Sequence, residues 1–80
     1  MAIYKHSGDV QQSTEANTFD ALYTPGTAAP MSGIYRCIGC GREDISTQGH
    51  PLPPQNHHQH SQGQGSIRWR LAVWADHRPK

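Results

Sequence analysis

Residues 37–41 read Cys-Ile-Gly-Cys-Gly, and this stretch contains both cysteines of the 80-residue chain. Two thiols separated by two residues can turn toward one point if the backbone bends tightly between them. Glycine at positions 39 and 41 suits such a bend, because glycine adopts positive φ without the steric cost of a Cβ atom. The stretch is therefore typical of one half of a structural zinc site, in which four ligands surround the metal as a tetrahedron.

The second half of the site must be built from histidine or carboxylate, since no further cysteine exists. His57 and His60 repeat the two-residue gap of the cysteines, and the overall pattern is C-x2-C-x16-H-x2-H. This spacing is close to those of known zinc sites. We therefore predict a zinc ion, as the cofactor, bound by Cys37, Cys40, His57 and His60.

Two other histidines compete for the same coordination positions. His58 and His60 would share one face of an extended segment, so His58 is a possible alternative ligand. His50 is expected to be a solvated loop residue. The spacing alone leaves open which two of the four histidines bind the metal.

The cysteine pair has other interpretations. A thioredoxin-type redox pair is expected in a βαβ unit, but no amphipathic helix follows the motif here. A local disulfide would need an oxidising compartment, of which the sequence gives no sign. Metal coordination is the interpretation that also uses the histidine-rich segment.

Length and composition favour a small domain held by a metal. The chain is 34% hydrophobic, with six prolines and eight glycines. A chain this short buries little surface, so a metal is an expected compensation. The formal net charge of +1 gives no strong overall attraction to nucleic acid. The absence of a signal-peptide-like or membrane-length apolar run leads us to expect a cytoplasmic protein without membrane contact.

The order of the segments along the chain predicts a small, mainly-β domain between two flexible ends. Residues 1–23 are polar and are expected to form a disordered arm, with one loose turn near Phe19 to Tyr23. Thr24-Pro25-Gly26 is a turn signal that opens a domain over residues 24–76, and residues 77–80 are expected to fray. A three-stranded antiparallel sheet is predicted from strands near 34–37, 42–47 and 66–74.

The last strand shows the clearest alternation. Ile67, Trp69, Leu71 and Val73 are predicted to form one buried face, with Arg68, Arg70, Ala72 and Trp74 opposite. The predicted core adds Ile34, Tyr35, Ile45 and Leu52, with Tyr35 in a packing role and Ile45 turned inward. Such a core is too small to stabilise the fold without metal.

Three features resemble a zinc ribbon, in which two metal-binding turns, called knuckles, bind one zinc. They are the knuckle at residues 37–41, the segment Leu52-Pro53-Pro54 that precedes the histidines, and the strand that follows. The usual ribbon has Cys-x-x-Cys in both halves, whereas the second half here is histidine. The segment at residues 25–35, Pro-Gly-Thr-Ala-Ala-Pro-Met-Ser-Gly-Ile-Tyr, is similar to small bacterial proteins of the YjzC-like type. These resemblances imply a cytoplasmic bacterial protein with a ribbon-like sheet, and they imply no reaction.

The expected function is that of a non-enzymatic zinc module that binds a macromolecular partner, either protein or nucleic acid. Arg68, Arg70 and Trp74 are the candidate contacts, supported by Arg36 and Arg42, because arginine binds phosphate and an exposed aromatic ring stacks on a base. Solvation of the outer strand face is the simpler explanation of these arginines. The alternatives are a metal-handling or sensing protein that uses its histidine-rich loop and a small metal-dependent enzyme. We expect no small-molecule substrate, since so small a core leaves little room for a pocket.

Overall fold

The structure, a computed structural model, describes residues 1–54, 60 and 63–75. Its centre is a three-stranded antiparallel sheet in the order β2-β1-β3. The strands are β1 (Gly33–Cys37), β2 (Glu43–Ser46) and β3 (Trp69–Trp74). The predicted mainly-β fold is thus confirmed, although the second and third strands are shorter than the predicted 42–47 and 66–74.

One face of the sheet packs against irregular chain that is itself tied together by backbone hydrogen bonds. The N–H of Ala29 donates to the carbonyl of His50 (2.8 Å), and the N–H of Leu52 donates to the carbonyl of Thr27 (2.8 Å). Tyr35 is fully buried here, as predicted, and its hydroxyl donates to the carbonyl of Met31 (2.6 Å). The buried core consists of Ala29, Tyr35, Cys37, Leu52, Ile67, Trp69 and Leu71.

A bulge in β3 changes which side chains reach the core. Tyr35 pairs with Leu71 but Ile34 pairs with Val73, so β3 has one extra residue at this point. Beyond the bulge Trp74, and not Val73, packs against the core. The predicted alternation is therefore correct as far as Leu71 and wrong after it, because an extra residue reverses the faces of the strand that follows.

Strand β2 also differs from its predicted orientation. Ile45 was expected to point inward, but its side chain is 78% exposed. It pairs with Ile34 in a register that places Ser46 opposite Gly33, and Ser46 is buried instead. Since neighbouring residues of a strand point to opposite faces, this register turns Ile45 away from the core.

The N-terminal segment lies against the third strand. It contains a 3-10 helix at Ser7–Asp9 and one helical turn, α1 (Ala16–Phe19), and Phe19 packs against the core. Tyr23 exchanges two backbone hydrogen bonds of 2.8 Å with Trp69, on the edge of β3 that faces away from β1. Residues 1–23 are therefore not clearly disordered, in contrast to our expectation.

The predicted boundaries at residues 24 and 76 stay predictions, and the tail at 77–80 lies outside the described residues. Within the described part of the chain, no helix has the length and apolar character that a membrane crossing requires.

Candidate metal centre

Three of the predicted metal ligands meet at one end of the sheet. One ligand atom from each of Cys37, Cys40 and His60 lies within 4.8 Å of those of the other two. Cys37 is the last residue of β1, and Cys40 belongs to the turn that leads into β2. His60 reaches the same point from the connection that leads to β3, so residues far apart in the sequence converge.

A tight turn brings the two cysteines together. The N–H of Gly41 donates to the carbonyl of Cys37 (2.7 Å), and the N–H of Cys37 donates to the carbonyl of Arg42 (2.8 Å). Gly41 has a φ of +83°, a conformation that glycine adopts readily and other residues rarely do. The reason that we gave for glycine at position 41 is therefore confirmed.

Gly39 is needed for a different reason from the one predicted. Its φ is not positive, so it does not serve the bend. A Cβ atom at this position would lie 2.7 Å from the carbonyl oxygen of Gln64 and 2.9 Å from Cε1 of His60. The absence of a side chain at Gly39 therefore lets the histidine-bearing segment approach the cysteine turn.

The ring of His60 is oriented by the chain that follows it. Its Nδ1 lies 2.7 Å from the carbonyl oxygen of Gly65, and a carbonyl oxygen only accepts hydrogen bonds. Nδ1 therefore carries the proton. In the neutral imidazole, Nε2 then presents its lone pair, and this atom is the one that faces Sγ of Cys37, at 3.2 Å. A hydrogen bond from the second ring nitrogen is what commonly orients a metal-binding histidine.

The donor atoms have nearly the separation that a shared ion requires. Bond lengths of about 2.3 Å to sulfur and 2.05 Å to nitrogen, at the tetrahedral angle, place the two ligand atoms about 3.6 Å apart. The observed separation of 3.2 Å is shorter than that value by about 0.4 Å. A small outward movement of the His60 ring would open the site to tetrahedral geometry.

The site lies at the boundary between core and solvent. Cys37 is fully buried, His60 is half-buried and Cys40 is exposed. Cys37 and Cys40 are not joined in a disulfide. The buried thiol anchors the site to the core, whereas the exposed thiol leaves one side accessible to solvent.

The remaining candidate ligands do not join this cluster among the described residues. His57 and His58 lie outside the described part of the chain, so the predicted fourth ligand is not placed. His50 is exposed, as expected of a loop residue. Glu43 lies 3.1 Å from the α-amino nitrogen of Met1, and the Asp44 carboxylate accepts a hydrogen bond from the N–H of Ile45 (2.8 Å).

The residues predicted to contact a partner differ in their exposure to solvent. Arg70 is exposed on β3, whereas Arg68 is half-buried, with its Nε buried and without a hydrogen-bond partner among the described residues. Trp74 is half-buried and packs against the core, so it differs from the exposed aromatic side chain that was expected.

Sequence reasoning also missed the residue that orients His60. Gly65 acts through its backbone carbonyl, and every residue type has such a carbonyl, so the sequence does not identify the contact. The one feature of the sequence at this position is the glycine-rich run at residues 63–65, which is typical of a turn.

Comparisons with known proteins place the chain in a family. No family model and no solved structure matches it. The chain is similar to Protein L of Escherichia coli, with 50% identity over 64 residues, which cover 80% of this chain and 72% of Protein L. That extent of identity over most of both chains is far beyond a shared motif. The chain belongs to the family of Protein L of Escherichia coli.

Proposed function

We propose that this protein is a non-enzymatic structural-zinc module of the zinc-ribbon type, in which the metal holds a small sheet rigid so that it can bind a macromolecular partner. The observation that carries the proposal is the convergence of Cys37, Cys40 and His60 within 4.8 Å, with the ring of His60 oriented by the carbonyl of Gly65. The fourth ligand of this proposed site is the one that the sequence pattern predicts, His57, which lies outside the described residues.

Zinc is the metal that this donor set suits best. Two thiolates and imidazole nitrogen form a soft, tetrahedral set, which is typical of structural zinc. The buried Cys37 thiol belongs to the same core cluster as Trp69 and Tyr35. Metal binding and core packing therefore support one another, and the binding free energy becomes part of the folding free energy.

A structural role accounts for the site better than a catalytic one. A catalytic zinc keeps one position open for water and needs a general base nearby. Among the described residues no carboxylate belongs to the cluster, and the nearest acidic residues in sequence, Glu43 and Asp44, have other contacts. We also place the protein in the cytoplasm, because a reducing compartment keeps paired thiols available for metal.

Metal handling is the second candidate function, and one observation favours it. Cys40 is exposed, so a competing ligand can attack the metal from solvent. A zinc buffer or sensor would exchange its metal rapidly and reversibly. A structural site would release it slowly, together with unfolding, because Cys37 lies in the core.

Native mass spectrometry with elemental analysis, on protein purified without added metal, tests the proposal. We expect one zinc ion per chain. Cys37→Ser is expected to abolish the cooperative thermal transition, because it removes a ligand from a core that is too small alone. His50→Ala is the matched control, since it removes an exposed imidazole outside the cluster. The structural-zinc function would be refuted if the protein is folded without metal and a chelator does not change its thermal transition.

A further inference from the structure

The face of the sheet that points away from the core, here called the outer face, carries two rows of side chains. In each row one residue from β2, one from β1 and one from β3 stand side by side. The rows are Ile45, Ile34 and Val73, and Glu43, Arg36 and Arg70. The second row is the nearer to the metal end of the sheet, since Arg36 directly precedes Cys37.

The charged row contains two arginines in direct opposition. Arg36 and Arg70 are register partners in the β1–β3 ladder, a position that brings Cβ atoms within about 5.5 Å and makes like charges repel. Glu43 stands on the other side of Arg36, but its carboxylate contacts the α-amino nitrogen of Met1. Among the described residues neither guanidinium forms an ion pair. The sheet therefore holds two adjacent positive charges, here called the arginine pair, whose repulsion a bound anion would relieve.

Arg36 also lies closer to the metal end of the sheet than an ordinary surface arginine would. It is half-buried, and its Nη2 lies 3.0 Å from the position that a Cβ atom would take at Gly41. Its guanidinium thus lies over the cysteine turn, and any side chain at Gly41 would displace it. The planar donors of a guanidinium match the oxygens of a phosphate group.

The arginine pair lines an open cleft between the N-terminal segment and the sheet. The cleft has a volume of about 1560 Å³, larger than the roughly 300–1,000 Å³ of ordinary small-molecule sites. It is therefore a broad, open surface and does not have the dimensions of an enclosed small-molecule site. Asp9, Asp20 and Glu43 also line the cleft, so its charge is mixed and the attraction for an anion is local to the arginine pair.

Neither tryptophan of β3 is an exposed stacking platform, although Trp74 is among the residues that line the cleft. Trp69 is fully buried, and Trp74 packs against the core. Recognition by base stacking, which single-strand binding proteins use, therefore lacks its aromatic side chains on β3. Contacts of arginine with phosphate oxygens remain, and these carry affinity and orientation without direct information about base sequence.

We propose that the arginine pair, Arg36 and Arg70, binds the phosphodiester backbone of nucleic acid, without base-specific readout. This proposal rests on the proposed function, because it names the macromolecular partner of the zinc-stabilised sheet. The nearby Arg42, which is exposed at the same end of the sheet, adds positive charge to the same region. The acidic surface of a protein partner could bind to the same two arginines. Binding of such a surface is the competing outcome of the test.

Fluorescence anisotropy with short duplex DNA and single-stranded RNA, over a range of salt concentrations, tests the proposal on the full zinc-loaded chain. Each phosphate contact changes the slope of log K against log salt by about 0.9 on duplex DNA, which amounts to about eightfold in affinity at about 0.1 M salt. The double variant Arg36→Gln/Arg70→Gln is expected to reduce the slope by about 1.8 and the affinity by about 60-fold. Two duplexes of unrelated sequence should bind with similar affinity.

Lys5→Gln is the matched control for Arg70→Gln. It removes the same charge from an exposed residue that is not among the cleft-lining residues, and it should leave the slope nearly unchanged. Zinc content and the thermal transition are measured on every variant, so that a loss of fold is distinguished from a loss of binding. If Arg36→Gln unfolds the chain, Arg70→Gln alone, at an exposed position, still tests the pair.

Three results would overturn the proposal while leaving the zinc function intact. The zinc-loaded protein could fail to bind either nucleic acid even at low salt. Arg70→Gln could lower affinity no more than Lys5→Gln does. Poly-glutamate could compete as effectively as duplex DNA at equal charge, which would assign the surface to an acidic protein.

Discussion

The substitution Gly39→Ala tests how the metal centre is assembled. Gly39 lies between the two cysteines, and His60 and the backbone of Gln64 lie directly against it. An added Cβ atom would lie 2.7 Å from the carbonyl oxygen of Gln64 and 2.9 Å from Cε1 of His60. One neighbour is backbone, and the other is a ring that can yield only by a rotation that moves its Nδ1 away from Gly65 and its Nε2 away from Cys37.

The size of the effect follows from these distances. Ordinary contacts of a carbon atom begin near about 3.5 Å, so the segment must retreat by about 0.6–0.8 Å. Metal–ligand distances tolerate deviations of only about 0.2 Å. His60 must therefore leave the metal or lose the hydrogen bond from Nδ1 to Gly65. Loss of such an orienting contact typically weakens metal binding by about 10- to 100-fold, which corresponds to about 1.4–2.8 kcal/mol.

The assay is zinc affinity, measured at neutral pH by competition with a chromophoric chelator. Gly8→Ala is the matched control, because a Cβ atom at Gly8 has no neighbour within 4 Å and the residue lies outside the sheet. Gly39→Ala should show weaker binding by the stated factor, and Gly8→Ala should match the unmodified chain.

Two results would refute this reasoning. Unchanged zinc affinity in Gly39→Ala would mean that the segment carrying His60 is not packed on the cysteine turn as the structure shows. An equal loss in Gly8→Ala would mean that the effect reflects the added methyl group in general, and not its contact with the ligand segment.

Two further predictions concern the stability of the sheet. Gly33→Ala is expected to lower the free energy of unfolding by about 3 kcal/mol, the upper end of the range for overpacking, because a Cβ atom would clash with the carbonyl oxygen of Val73. Urea denaturation measures this, and an unchanged midpoint would contradict the bulge register. Tyr35→Phe should cost about 0.5–1.5 kcal/mol at neutral pH, through the lost hydrogen bond to the Met31 carbonyl. Burial raises the pKa of the Tyr35 hydroxyl above its usual 10.0, although a backbone hydrogen bond with Met31 acts in the opposite direction. Its contribution to stability is therefore fully present below the unfolded pKa and is lost as the pH rises through the folded pKa. Tyr35→Phe should remove this alkaline loss, and denaturation curves with the same alkaline slope in both proteins would contradict the assignment.

The part of the site that is local in sequence could be predicted from the residues. Two cysteines separated by two residues with Gly41 after them define a turn, whatever the rest of the fold does. Burial of Tyr35, Trp69 and Leu71 follows in the same way, since alternation within a strand is a local property of the backbone.

The relations between strands could not be predicted from the residues. The sequence contains nothing that identifies an extra residue in β3 opposite the Ile34–Tyr35 step, so Trp74 and Val73 were assigned to the wrong faces. Ile45 was placed inside because isoleucine is apolar, whereas the register with Ile34 turned it outward.

The residue types in the chain determined which chemistry is available: two thiols, several imidazoles and a group of arginines near one turn. The spacing predicted His60 as a ligand beside Cys37, but only the tertiary structure decided that its Nε2 is the atom that faces Cys37. Only the structure also decided that Gly39 serves as a contact surface and not as a bend, and that Arg36 stands beside Arg70. The reason is physical. Ligand spacing and alternation depend on neighbours along the chain, whereas these three relations depend on strand register and on backbone carbonyls, which every residue possesses alike.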